Sequence, residues 1–173
     1  MWKEVSLDGV GDRGVSESQN EVQLLSLLQH PSIIAYYTHF VDPRSNALYI
    51  EMEYAEHGTL YHRIVSRRSR RSANISDDDK GDPFPEMDVL WYMYQLLHAI
   101  AYIHARHVLH RDIKTLNIFI ARSDAIKLGD FGISKLLVLN SPAEMANSIV
   151  GTPYYMSPEI NRGWCNFTIL ITF

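Results

Sequence analysis

HRDIKTLNIFIARSDAIKLGDFG, His110 to Gly132, holds two apolar runs, NIFIA and AIKLGD, parted by RSD and preceded by a dense polar octet. Two short β-rich runs joined by turn-forming residues predict a hairpin. Pairing Ala121 with Ile126 and counting back along both strands sets Asn117 opposite Asp130, an amide oxygen beside a carboxylate at one end of the ribbon. Both are hard oxygen donors, and Mg²⁺ is commonly held by one or two such groups, with nucleotide phosphates completing its shell. Asp112, before Asn117 on the preceding loop, could accept a proton from a hydroxyl. Lys114 could reach a transferring phosphoryl group as a compact charge.

Upstream, EMDVLWYMYQLLHAIAYIHARHV (86–108) carries Val89, Met93, Leu96, Ile100 and Ile103 at three- and four-residue steps. That spacing predicts a long helix buried on much of its circumference. Before it, SRRSRRSANISDDDKGDPFP (66–85) swings from basic to acidic without an apolar period, so a mobile loop or insertion with solvated charges is expected. IIAYYTHFVD and ALYIEMEYA flank PRSN and predict a second hairpin, ended by Gly58. SESQNEVQLLSLLQH brings Val22, Leu25 and Leu28 to one face, with Leu24 beside them, and Pro31 stops the helix predicted over 17–29.

Across 173 residues, 46% hydrophobic and 21% charged, these elements make one globular α+β unit rather than a disordered chain. A formal charge of −4 supplies no general attraction to nucleic acid or an anionic membrane, so phosphate chemistry has to be local. The lone Cys165 excludes an intrachain disulfide framework, and the N-terminus lacks a secretory apolar run. FTILITF (167–173) is too short to span a bilayer as a helix. The expectation is a reducing, intracellular setting, in which the NFT sequon at Asn166 goes unused.

HRDIKTLN, then DFG at Asp130 to Gly132, then GTPYYM and SPE at Ser157 to Glu159, occur in an order that resembles the protein kinases. WKEV, LLQHPSIIAYY, HRDIKTLNIF and GTPYYMSPE together resemble the NIMA-related kinases, a serine/threonine group linked to microtubules, centrosomes and cilia. The resemblance runs from Trp2 to Ile160. It implies a two-lobed kinase fold, with 1–57 as N-lobe and hinge, 58–160 as part of the C-lobe with the 66–85 insertion, and 161–173 as a divergent tail.

The same resemblance implies ATP and Mg²⁺ as cofactors and a protein partner offering a Ser or Thr hydroxyl, a class that follows from Lys114 two residues after Asp112. Asp112 would be the base or orienting group, Lys114 a stabiliser of the γ-phosphate, and Asn117 and Asp130 the metal ligands. Lys3 would hold the α- and β-phosphates with Glu21 as its helix partner. Met52 would be the gatekeeper, with the backbones of Glu53 and Ala55 bonding adenine. Arg111 would pair with a phosphorylated residue in the segment from Lys135 to Val150, where Ser148, four residues before Thr152, is the candidate phosphosite; Thr152 is grouped with them as a regulatory residue. The resemblance places the protein in the cytoplasm, at the cytoskeleton, centrosome or cilium.

Several assignments have a plainer rival. Ser18 and Glu21 also form an S-x-x-E capping box, so Glu21 either caps its helix or pairs with Lys3, not both. Lys3 lies at the chain start, where fraying competes with a fixed contact. His110 is expected to be structural. GVGDRG (9–14) matches the letters of a phosphate-binding G-x-G-x-x-G but follows the lysine instead of preceding it, and a turn explains its glycines. The family's first two strands with their glycine-rich loop, and its aspartate-bearing helix after SPE, have no counterpart here. The expectation is a chain truncated at both ends and marginal in stability, with apolar area of the long helix left exposed. Two functions follow: a Mg-ATP-dependent serine/threonine kinase, or a non-catalytic fragment or partner-binding regulator.

Overall fold

The computed structural model describes residues 1–8, 22–73, 84–131, 135–136 and 152–155. Glu21, Ser148, the GVGDRG stretch, the acidic run and the 161–173 tail lie outside them.

Strand β1 (Trp2–Ser6), β2 (Tyr36–Asp42) and β3 (Ala47–Met52) form an antiparallel sheet in the order β1-β3-β2. Residues 43–46 turn the predicted hairpin between β2 and β3, with Asn46 at φ 45°, a left-handed conformation that Asn tolerates better than most residues. The chain start does not fray: Lys3 pairs with Ile50, and Met52 N–H donates to Met1 O at 2.8 Å. Helix α1, described over 22–27, supplies Val22 to a core with Ile34, Leu48, Ile50 and Met52. Its Leu24 and Leu25, with Leu28 just beyond, face a second core built on the other side.

Helix α2 (Leu60–Ala73) begins where Thr59 caps it, Oγ1 accepting from His62 N–H at 3.3 Å. It runs through 66–73, which corrects the expected 66–85 loop at its N-terminal end. Arginine is a good helix former even without an apolar stripe, and the Arg67 guanidinium lies 4.4 Å from the Phe84 ring centroid. Helix α3 (Glu86–His104) carries Glu86 and Asp88 in its first turn, beside the positive end of its dipole. Its buried face is Tyr92, Gln95, Ala99 and Ile103. Val89 and Met93, expected in the core, are 45% and 47% exposed, because no described element covers that flank.

β4 (Val108–Leu109) pairs with β7 (Lys135–Leu136), and β5 (Ile118–Ile120) with β6 (Ile126–Leu128), both antiparallel. The β5–β6 ribbon is central. Ile34 N–H donates to Leu128 O at 2.9 Å on one side, and Ile120 N–H to Gly58 O at 2.8 Å on the other. Its register differs by one residue from the expected pairing: Ile120, not Ala121, faces Ile126. Ala121 N–H bonds Ala125 O at 2.9 Å around a three-residue loop in which Asp124 takes φ 65°. Continuing that register, Asn117 faces Gly129, and Gly129 N–H donates to Asn117 O at 3.0 Å.

Candidate active site

A cleft of about 570 Å³ opens between the three-stranded sheet and the β5–β6 ribbon. Met52, Ala55, Ile34 and Phe119 give it apolar walls, and Lys3, Asn117 and Asp130 line it as well. Gly129 belongs here for lack of space: a Cβ built on it would lie 2.9 Å from Phe119 Cε2 and 3.1 Å from Ile34 Cγ1.

The polar octet is knotted around Asp112. Lys114 Nζ donates to its Oδ2 at 2.6 Å, Thr152 Oγ1 to its Oδ1 at 2.7 Å, and Asn117 Nδ2 to its Oδ2 at 3.0 Å and its backbone O at 2.9 Å. Lys114 Nζ also reaches Thr152 Oγ1 at 2.8 Å, closing a triangle. Burial pushes the Asp112 carboxyl up, but the bonds from Lys114, Thr152 and Asn117 outweigh it and hold the group below its ordinary value. Asp112 is therefore ionised at neutral pH and fixed in orientation. Thr152, placed by sequence reasoning in a regulatory segment, belongs to this cluster; no local spacing signals a contact across forty positions of chain.

Asn117 is buried, and because its Nδ2 is engaged by Asp112, Oδ1 is the acceptor left to the cleft. Asp130 is a single step beyond Asn117's partner in the ribbon and turns at φ 63°, a left-handed conformation unusual for a side-chain-bearing residue. Arg111 is held at φ 67°. Such strain persists only where surroundings over-determine it, and it concentrates at functional sites. Lys3 Nζ lies 3.3 Å from Asp130 Oδ1. The structure thus brings Lys3 to the expected metal ligand, while Glu21, its expected helix partner, falls outside the described residues.

His110 is structural in geometry. Its Nδ1 accepts from Asp112 N–H at 3.3 Å, which leaves Nε2 to donate to Gly129 O at 3.0 Å, and the ring packs 4.7 Å from that of buried Phe131. Burial lowers its pKa against the opposing pull of the Gly129 carbonyl and the Asp130 and Asp112 charges. At the hinge, Met52 is buried at the end of β3 and Ala55 just beyond it. Glu53 N–H is spent on Ala35 O at 2.8 Å. The Glu53 carboxylate accepts from Ala35 N–H at 3.1 Å and pairs with Lys127 Nζ at 2.8 Å, tying the hinge to β6.

The donor set suits Mg²⁺. Among the described residues no three His, Cys, Asp or Glu side chains are placed to hold a metal. An Asn oxygen and an Asp carboxylate beside a roomy cleft match instead a hard cation that keeps its remaining positions for phosphates and water.

The protein kinase domain model matches residues 2–164. The serine/threonine-protein kinase Nek9 of Mus musculus is 44% identical over 163 residues, covering 94% of this chain and 15% of that protein. Nek9 of Xenopus laevis is 46% identical over 163 residues, with 94% and 16% covered, and Nek1 of Mus musculus 39% over 158 residues, with 91% and 12% covered. The chain thus spans only about 15% of the length of the first of these curated relatives. With these likenesses and the cleft geometry together, the chain belongs to the protein kinase family, on its NIMA-related serine/threonine side.

Proposed function

We propose that this chain is the catalytic portion of a serine/threonine protein kinase that transfers the γ-phosphoryl group of MgATP to a protein Ser or Thr hydroxyl. The observation that carries the proposal is the fixing of Asp112 by Lys114, Thr152 and Asn117, the last of which lines the cleft together with Asp130. When bound, MgATP supplies the transferable group and the cation that offsets its charge. Asp112, held ionised, orients the acceptor hydroxyl and takes its proton as that oxygen bonds to the γ-phosphorus and the bond from the γ-phosphorus to the bridging oxygen breaks, releasing ADP. A carboxylate this acidic is a weak base, so its main contribution is position. Lys114 lies within reach of the same region as a compact positive charge.

Asn117 Oδ1 and the Asp130 carboxylate are the proposed metal ligands. Lys3, whose ammonium lies 3.3 Å from Asp130 Oδ1, would hold the α- and β-phosphates beside the cation. The Glu53 carbonyl and the Ala55 backbone meet the base, with Met52 behind it. Residues 1–57 serve as N-lobe and hinge and 58–160 as C-lobe part; Arg111 answers a phosphorylated activation segment. A cytoplasmic, cytoskeletal, centrosomal or ciliary location rests on the family resemblance alone.

The test is transfer of labelled phosphate from ATP to a generic protein substrate, comparing the wild-type chain with Asp112→Asn. The expected loss is on the order of 10²- to 10⁴-fold. Equal turnover by the two proteins would remove Asp112 from the mechanism.

A further inference from the structure

Lys3 and Met52 line the cleft and so mark the inner face of the three-stranded sheet. Side chains alternate across a strand and residues paired across strands share a face, so Trp2, Glu4, Thr38, Phe40, Tyr49 and Glu51 stand together on the outer one. Phe40 is the hub there. Its ring stacks on that of Tyr49 at 5.2 Å and meets that of Trp2 edge-on at 5.5 Å. Trp2 is 51% exposed and Phe40 49%, so the rings form a contiguous apolar patch open to solvent, the kind of surface that marks an interaction site.

The charges beside the patch are all of one sign. Glu51 stands opposite Trp2 across the sheet and Glu4 opposite Tyr49, and neither carboxylate has an ion pair or hydrogen bond among the described residues. Asp42, further along β2, is spent within the turn, accepting from Arg44 N–H at 2.9 Å and from the Ser45 hydroxyl at 3.1 Å. No Lys or Arg stands among the outer positions. The cation–ring contacts of the described residues lie elsewhere, on Tyr92, Phe84 and Tyr102. Ring faces are electron-rich, so this surface offers a cation two attractions at once, a ring and an adjacent carboxylate.

We propose that the outer face of the sheet docks an arginine-bearing segment of a protein partner, a guanidinium lying over the rings and pairing with Glu4 or Glu51. Guanidinium suits the surface better than ammonium, because its plane stacks on a ring while its fork meets a carboxylate, and it sheds water more readily. Nucleic acid and anionic lipid are repelled by the same carboxylates. The face lies away from the cleft, so the proposal stands or falls independently of the nucleotide reading.

The experiment is a fluorescence-anisotropy titration of the full chain into a labelled peptide of alternating Gly and Arg, beside the same peptide carrying citrulline, a neutral shape match for Arg. Wild type should prefer the arginine peptide roughly tenfold. Phe40→Leu keeps the apolar bulk and removes the ring, and should weaken binding roughly two- to fivefold. Glu4→Gln combined with Glu51→Gln should weaken it roughly two- to tenfold, while Glu86→Gln with Asp88→Asn, an equal charge change on α3, should leave it unaltered. Circular dichroism should stay that of wild type throughout. Equal affinity for the two peptides, or no loss in either the Phe40 or the Glu4 and Glu51 variant, overturns the proposal. An equal loss in the α3 variant would mean attraction to diffuse charge and overturns it too. If the Glu4 and Glu51 changes disperse self-association of the chain, a second copy occupies the face and the partner is excluded.

Discussion

Thr152 Oγ1 stands between the Asp112 carboxylate and the Lys114 ammonium, donating to one and accepting from the other. Removing a hydrogen bond to a charged group costs about 1.5–3 kcal/mol, which at a transition state is roughly 10- to 100-fold in rate. Thr152→Val should therefore lower kcat by that factor with little change in the KM for ATP, and Thr152→Ser should stay near wild type; steady-state kinetics with unchanged kcat in the valine variant would reject the role. His110 makes a different prediction. Because burial depresses its pKa below 6.5, the unfolded chain takes up a proton first as the pH falls past that value. Stability is thus fully present above about pH 6.5 and declines below it, down to the folded-state pKa. Burial shifts His30 and His104 the same way, so the comparison is with His110→Gln: thermal melts between about pH 7 and about pH 5.5 should show a shallower decline in the variant. Equal slopes would mean that His110 is not the buried neutral group. Asp112, Lys114, Asn117 and Asp130 were legible in the octet and the DFG because such motifs are local. Thr152 was not, because its contacts are made only when distant chain closes on the loop.

Gln95 joins α3 to the edge of the ribbon, its Oε1 accepting from Ile126 N–H at 3.1 Å and its Nε2 donating to Trp91 O at 3.2 Å. Gln95→Leu would leave that strand amide buried without a partner, at a cost of about 1–3 kcal/mol measurable by urea unfolding. No loss would show that the amide is satisfied another way. One turn earlier, Tyr92 OH donates to Asp124 Oδ2 at 2.9 Å, and Arg63 reaches both groups, so α2, α3 and the ribbon's loop meet there. Burial and the Asp124 bond push the Tyr92 hydroxyl up to about 12, so it stays a donor at any physiological pH. The left-handed Asp124 also explains the register. A three-residue loop closes Ala121 on Ala125 instead of on Ile126, a difference that RSD alone does not reveal because three- and four-residue loops both accommodate its letters. Likewise, apolar periodicity marked the existence and length of α3 but not its buried side, since Val89 and Met93 share helical spacing with Ile103 while facing elsewhere.

On the molecular scale, α3 presents Leu90, Trp91, Met93, Tyr94 and Leu97 to solvent, with the Trp91 and Tyr94 rings stacked 5.7 Å apart. A contiguous apolar face of this kind associates with apolar partners or with itself. The chain should enhance the fluorescence of an apolar dye and sediment as larger species with rising concentration. Trp91→Lys combined with Leu97→Lys should reduce both without altering circular dichroism; an unchanged dye signal would place the apolar surface elsewhere. The amino-acid order by itself determined the ribbon, the sheet hairpin, the long helix and the identity of the polar loop, since each follows from short-range propensity, periodicity or a local motif. Tertiary structure decided the strand register, the continuation of α2 through its basic run, the side of α3 that is buried, and the joining of Thr152 to Asp112 and of Lys3 to Asp130. Those outcomes depend on which distant surfaces meet, and contact between residues far apart in sequence is set by packing rather than by any neighbouring letter.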